Sequence, residues 1–291
     1  MKILITGGSG DLGILLARSL DLQGDTPVRL DIRPPANPQR GTFIHGSLLD
    51  RSFLSEAMRG CEMVVHIAAW HGFHLVAGQK DAYDFWDLNV SGTFNVFEEA
   101  AQQKINKFIY ISSTSIADRF GIYGHTKVLG EEIALVYHQR HGMDVIVLRP
   151  GAFIPYWNAY VYATFADWAK WYWKGAVHIT DVLQSLEKSI ALLKAQPIPD
   201  MPLLYVDGKY EYTPQDLQNW ESAPPGAAFD KYYSQYAGVA EQYNLDPTLK
   251  PEVFDIAATR QLLGYTPTYS FMNLLQELAE FGPKGPPAPN L

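Results

Sequence analysis

The sequence predicts an α/β fold, a doubly wound parallel sheet with a small C-terminal lobe. Three observations carry this. Residues 2–6, KILIT, are a strand-like run, apolar after Lys2, that leads into the turn Gly7-Gly8-Ser9-Gly10-Asp11-Leu12-Gly13 and then into helical residues 14–20. Beyond that turn, apolar strands alternate with helical stretches of about ten residues, the pattern of strand–helix–strand units. Right-handed crossovers between such units bring every strand's C-terminal end to one edge, where ligands bind.

The glycine turn is the first element with chemical content. Gly7 permits a tight turn, Gly10 keeps a Cβ out of the path of a pyrophosphate, and Gly13 lets the helix pack close to the strand. The helix N-terminus at Asp11 and Leu12 offers free N–H groups and a partial positive charge to phosphates. The spacing is Gly-x-x-Gly-x-x-Gly with no Gly-Lys-Ser/Thr after it, which excludes a nucleotide-triphosphatase loop. The second strand, 27–33, carries Asp31, 18 residues after Gly13. A carboxylate there accepts from a ribose 2′-hydroxyl and repels a 2′-phosphate, which favours NAD. Arg33 beside it can hold that phosphate, so NADP stays open.

The remaining elements follow in order. Residues 34–41 form a polar, proline-rich loop, and a third strand, 43–45, ends in Gly46-Ser47-Leu48-Leu49-Asp50. A helix spans 52–59 with Ser52 near its cap. The fourth strand, 62–69, ends in Ala68 and Ala69, small enough to let a cofactor approach. Residues 70–83 form a loop at the binding edge. Its His71 and His74 lack a Cys or carboxylate at ligand spacing, so they read as substrate contacts and no metal is expected. A long helix, 84–103, has Asn89 near its start and Val90, Phe94, Phe97 and Ala101 as its buried face. The fifth strand, 107–111, delivers Ser112, Ser113 and Thr114 to the edge. A helix then runs over 123–141, with His138 and His141 on its polar surface and without chemical work. The sixth strand, 144–148, ends at Arg149-Pro150-Gly151.

Tyr123 and Lys127 are four apart and share one helix face. An ammonium beside a phenol favours the phenolate, and a tyrosine so tuned exchanges a proton with an alcohol or carbonyl oxygen. A serine hydroxyl from the preceding strand can bond the same oxygen. Beside a nicotinamide this is a matched set: hydride to or from carbon, proton to or from oxygen.

With these residues in place, the chain resembles the extended short-chain dehydrogenase/reductase family, the NAD-dependent epimerase/dehydratase group. The resemblance covers roughly the first 190 residues and rests on TGGSGDLG, the Asp31 strand, GSLLD, VVHIAA, Asn89-Val-x-Gly-Thr, FIYISS, YGHTK, LRPG and VHITDV. A weaker likeness extends over 254–275. The resemblance implies a Rossmann-type fold with Ser113 as catalytic hydroxyl (Thr114 the fallback), Tyr123 as acid/base, and Lys127 on the nicotinamide ribose. It also places Asn89, Ser47, Leu48, Pro150 and Gly151 near the cofactor, with Ser47 where an aspartate usually contacts adenine. By the same resemblance the chain pairs as a homodimer through helices 88–103 and 123–141.

Departures from the family bear on substrate. Tyr123 comes only ten positions after Ser113, a short substrate loop. The Asp-Glu pair of dehydratases is absent, since Thr114 is followed by Ser115 and Ile116, which disfavours dehydration. No arginine occurs over 151–175, where a pyrophosphate-bearing sugar would want a guanidinium. That stretch is aromatic instead: Phe153, Tyr156, Trp157, Tyr160, Tyr162, Phe165, Trp168, Trp171, Tyr172 and Trp173. It reads either as core or oligomer face, or as an aromatic pocket wall with Trp157 touching substrate. The expected domains are a dinucleotide-binding unit over 1–155 and a substrate lobe over 156–281, with 176–206 returning to the first. A helix is expected over 182–193, a linker over 196–202, a lid-like stretch over 207–251, and a flexible tail without apolar anchor over 282–291.

Composition bounds the rest. The 291 residues are 47% apolar and 19% charged, with net charge −8 and a pI near 5.5. No basic face for nucleic acid is expected. One cysteine, Cys61, suits a reducing compartment, and no signal peptide or membrane span is expected, so the chain reads as cytoplasmic. The expected activity is an NAD(P)-dependent oxidoreductase or epimerase working on a hydroxyl or carbonyl carbon of a sugar-like, possibly nucleotide-linked, substrate. A dehydrogenase of a small aromatic or apolar carbonyl is the alternative. A non-catalytic NAD(P)-sensing regulator is a further one, opposed by the Tyr-x-x-x-Lys pair.

Overall fold

The computed structural model describes residues 1–34, 41–117 and 121–289. The apolar run Lys2–Thr6 is strand β1, and the turn after it opens helix α1, Asp11–Leu22. Strands β2 (Thr26–Asp31), β3 (Thr42–His45) and β4 (Met63–His66) follow, with helix α2, Arg51–Met58, between the last two. The predicted cap at Ser52 is corrected: the Asp50 carboxylate caps α2, accepting from the N–H groups of Ser52 and Phe53. The strand β4 ends three residues earlier than expected, so Ala68 and Ala69 sit in the loop beyond it.

The predicted loop 70–83 instead holds two short helices, α3 (Gly72–Val76) and the start of α4 (Ala82–Phe85). The predicted long helix 84–103 is also broken. A π-helical segment, Trp86–Gly92, separates α4 from α5, Thr93–Gln102. This shifts the buried face. Val96, Phe97 and Ala100 are buried, while Phe94 is 43% exposed.

Strand β5 (Lys107–Ile111), helix α6 (Gly121–His141) and strand β6 (Asp144–Pro150) complete the first half. Helix α7 spans Phe165–Tyr172 and α8 spans Ile179–Ala195, with His178 as its N-cap, so the expected start at 182 moves back. The stretch read as a linker carries buried Ile198 and delivers a seventh strand, β7, Leu203–Val206, which the sequence reading missed. Short helices α9 (Pro214–Gln218), α10 (Ala227–Tyr233), α11 (Ala237–Gln242) and α12 (Ala257–Leu263), then the longer α13 (Phe271–Phe281), end the chain.

The seven strands form one parallel sheet in the order β3-β2-β1-β4-β5-β6-β7. The order reverses between β1 and β4, the switch point that opens a crevice at the strand C-termini. On one face Ile3, Ile5, Val65 and Ile146 pack under α1 and α8; on the other Leu4, Val28, Val64 and Phe108 pack under α2, α5 and α6. A third core is aromatic. Tyr162, Phe165, Trp168, Tyr172 and Trp173 pack with Phe229, Tyr233 and Phe271, so most of the aromatic stretch is lobe interior, although Tyr160 is 92% exposed. Ile256, Leu263 and Tyr265 belong to the sheet-side core.

The tail expectation is corrected for its described residues. A Cβ on Gly285 would lie 2.5 Å from the Phe165 ring, and the Tyr156 hydroxyl donates to the Pro287 carbonyl at 3.0 Å.

Candidate active site

The glycine turn has the shape a dinucleotide needs. Gly7 adopts φ +69°, open to glycine at little cost. A Cβ on Gly13 would come within 2.3 Å of the Gly7 carbonyl oxygen, so helix and turn touch backbone to backbone. Gly8, which sequence reasoning passed over, is as constrained: its Cβ would meet Arg29 at 2.5 Å. A Cβ on Gly10 would meet only the Gly7 oxygen, at 3.3 Å, and points otherwise into open space. Gly10 is the N-cap of α1 and provides no side-chain cap, which leaves the first N–H groups of the helix to a ligand. This cradle fits a pyrophosphate.

Asp31 stands at the rim of the same turn. Its carboxylate accepts from Ser9 N–H at 3.0 Å and Arg33 N–H at 2.9 Å. Arg33 is exposed beside it. The Ser47 hydroxyl accepts from Leu49 N–H at 3.2 Å, and the carbonyl of buried Leu48 accepts from Asn95.

A buried polar chain, unforeseen except for Asn89, fixes this edge. The Thr93 hydroxyl donates to the Asn89 carbonyl at 2.7 Å, so it accepts from His66 Nε2 at 2.9 Å. His66 Nδ1 then accepts from the Thr6 hydroxyl at 2.6 Å. Thr6 in turn accepts from the N–H groups of Ile67 and Ala68. Burial, with Lys127 adding, pushes His66 down to about 3, so the ring is neutral. Asn89, on the π-helical segment, accepts from Trp70 N–H at 2.8 Å and donates to the Trp70 carbonyl at 2.9 Å and the Thr126 hydroxyl at 3.1 Å. The glycine turn, the loop after β4 and α6 are thus tied into one unit.

Ser113 and Tyr123 come together at the C-terminal end of β5, and Lys127 sits behind them. The Lys127 ammonium is buried, donates to the Ile111 carbonyl at 2.7 Å and lies 5.1 Å from the Tyr110 ring centroid. Burial lowers its pKa to about 7 against the raising effect of Glu131. Burial raises the Tyr123 phenol, opposed by the Ser113 hydroxyl. The expected lowering of Tyr123 by Lys127 is therefore corrected for the protein alone: desolvation raises the phenol, and the group that opposes it is the Ser113 hydroxyl. Ser113 caps a short 3-10 turn, Thr114–Ile116, accepting from Ser115 N–H at 3.1 Å. Thr114 is the first residue of that turn.

His71 and His74 lie beside this centre. A Cβ on Gly72 would be 3.7 Å from Tyr123 Cδ1, and the two imidazoles are 4.1 Å apart. Burial, then His74 and Lys127, holds His71 at about 3. Among the described residues no group of three or more His, Cys, Asp or Glu could hold a metal ion.

Behind the serines, Arg149 clamps Glu131 through Nε at 2.9 Å and Nη2 at 2.6 Å, and Ser112 donates to the same carboxylate at 2.5 Å. Glu131 was legible as the next residue on the Tyr123–Lys127 face, four further along α6. Gly151 donates to the Val206 carbonyl across β7. Buried Asp207, next to it, is pushed up to about 6 by desolvation. Trp157 is half-buried at this edge, and its Nε1 donates to the Asp11 carboxylate at 3.3 Å.

A parallel sheet with its glycine turn at the switch point, and a Tyr–Lys face on the following edge, define a Rossmann-type protein of the extended short-chain dehydrogenase/reductase class. Residues 3–159 match the NAD dependent epimerase/dehydratase family, and the chain belongs to it. It is 32% identical over 185 residues to the uncharacterized protein y4nG of Sinorhizobium fredii, covering 57% of the chain and 45% of that relative, so it spans less than half of that protein's length. It is 23% identical to a dTDP-glucose 4,6-dehydratase of Streptomyces niveus, over 97% of the chain and 92% of the relative. The fold is similar to that of a UDP-glucuronic acid 4-epimerase from Bacillus cereus in complex with NAD (TM-score 0.68, 22% identity, 95% and 96% of the two chains).

Proposed function

We propose that the protein binds NAD and uses it to move a hydride at a hydroxyl or carbonyl carbon of a sugar-like substrate, as an epimerase or dehydrogenase. The observation that carries this is the convergence of Tyr123, Lys127 and Ser113 beside the glycine cradle. When bound, the dinucleotide supplies a nicotinamide that takes or gives hydride. The chain's own residues do the rest. Gly7, Gly10, Asp11, Leu12 and Gly13 hold the pyrophosphate, Asp31 the adenosine ribose, and Ser47 and Leu48 the adenine side. Ala68, Ala69, Asn89, Pro150 and Gly151 line the path to the nicotinamide. Lys127, held by the Ile111 carbonyl, binds the second ribose. Ser113 orients the substrate oxygen, with Thr114 next to it, and Tyr123 gives or takes its proton. Neutral His71, with His74 behind it, offers an uncharged polar contact to the same substrate. The names of the relatives support a sugar-like substrate. The absence of paired carboxylates after Thr114 supports epimerase or dehydrogenase over dehydratase chemistry.

Substituting Tyr123→Phe tests the reading. It removes one hydroxyl and leaves the ring, so NAD affinity holds while turnover, followed by nicotinamide absorbance or product stereochemistry, falls by about 10²–10⁴-fold. Near-full activity would move the proton elsewhere, with His71 the first suspect. Asp31 supports NAD over NADP. Calorimetric titration is expected to show tighter NAD binding in the native protein and a narrower gap in Asp31→Ala.

The protein pairs as a homodimer through the faces of α5 and α6. Phe94 at 43% and Val136 at 44% exposure support this face.

A further inference from the structure

We infer that Asp11, Trp157 and Asn158 form a latch that holds the segment after β6 over the dinucleotide turn and sets how fast the cofactor enters and leaves. The inference rests on the NAD-binding reading above and adds a positioning role that the catalytic scheme leaves unassigned.

Asp11 is the first residue of α1, one past the Gly10 cap, at the helix end that the proposed reading gives to the pyrophosphate. Two neutral donors hold this carboxylate, and both come from far along the chain. Trp157 Nε1 donates to Oδ1 at 3.3 Å, and Asn158 Nδ2 donates to Oδ2 at 3.1 Å. Each oxygen is engaged once, so the carboxylate is held from two points.

The donors sit on a segment anchored ahead of them. Before it, Gly151 is bonded to β7 through the Val206 carbonyl. Within it, Tyr156 packs edge-on against Phe165 and Trp168 in the lobe core and donates to Pro287. The Trp157 ring packs the other way, onto the sheet-side core. Asn158 closes its own turn: its side-chain oxygen accepts from Tyr160 N–H at 3.2 Å, which orients the amide nitrogen toward Asp11. Adjacent residues therefore join the lobe to the N-terminus of α1. The groups are half-buried and reachable by water, so the latch is strong enough to hold and weak enough to open.

The kinetics separate this from a plain contact. A residue that only touches bound cofactor changes release and leaves entry alone. A latch must open for both, so loosening it speeds both and changes affinity less. The test is stopped-flow mixing of NADH with the native protein, Trp157→Phe and Asn158→Ala, reading entry and displacement by excess NAD through nicotinamide fluorescence. Asp11 itself is left intact, because its charge acts on the phosphates directly. Each variant is expected to raise both rates roughly three- to tenfold, the scale of one lost hydrogen bond between half-buried, water-accessible groups. Unchanged rates in both variants, or faster release with unchanged entry, would overturn the latch. Asn158→Ala, in a half-exposed turn, remains decisive if Trp157→Phe fails to fold. Native protein that binds no NADH would remove the cofactor reading itself, a result distinct from normal binding with unaltered variants.

Discussion

At the scale of single residues, backbone contact constrains more than side-chain chemistry does. Gly13 is the clearest case. The 2.3 Å that a Cβ would leave to the Gly7 oxygen cannot be relieved by a side-chain rotation, because the obstacle is backbone. Gly13→Ala is therefore expected to cost about 3 kcal/mol or more and to weaken NAD binding, read by chemical denaturation and calorimetry. The three glycines of the motif were visible in the sequence by spacing. Gly8 was not, since its obstacle is Arg29, on a strand brought alongside only by folding. Titration behaves the same way. The Tyr123–Lys127 pair is readable as i, i+4, but burial, which the pair's spacing does not carry, decides that the phenol goes up and the ammonium comes down.

At the scale of elements, the break between α4 and α5 is the informative departure from periodicity. The π-helical segment lets Asn89 turn inward and bond the Trp70 backbone and Thr126, while the Thr93 hydroxyl takes the Asn89 carbonyl. The face expected for an uninterrupted helix included Phe94; beyond the break Phe97 stays buried, Val96 and Ala100 join it, and Phe94 is exposed. Asn89→Ala is expected to cost about 2–3 kcal/mol, because it strands both part-buried Trp70 backbone groups and takes a donor from the buried Thr126 hydroxyl. Hydrogen exchange is expected to rise over 70–76 and 86–93 before it rises in β1. Protection unchanged in those segments would show that Asn89 does not tie them. The strand β7 illustrates the opposite case. Leu203–Val206 follows the Pro-rich run 196–202 with no glycine turn or helix pattern to set it off, and pairing with β6 makes it a strand.

At the scale of the whole molecule, three cores divide the work. Two sandwich the sheet, and a third, aromatic core builds the lobe. Among the described residues no helix is long and apolar enough to cross a membrane. The proposed dimer belongs to this scale. Sedimentation at micromolar concentration is expected to give twice the chain mass, and Phe94→Glu, placing a charge on the α5 face, is expected to shift it toward the single chain. A single chain in the native protein would leave Phe94 and Val136 as ordinary surface apolar residues.

The sequence by itself determined what depends on short-range order. That covers the strand–turn–helix opening, the alternation that makes a parallel sheet, the acidic residue at the end of β2, and the Tyr–Lys face of α6. Each is a pattern written within one or two adjacent elements. Only the tertiary structure decided the Thr6–His66–Thr93–Asn89 chain, the Glu131–Arg149 clamp, the burial of most of the aromatic stretch, and the reach of Trp157 and Asn158 to Asp11. The reason is the same for all of them. Their partners lie on different elements, Asp11 and Asn158 being 147 residues apart, and burial and hydrogen bonding between such groups exist only once the sheet has set the elements side by side.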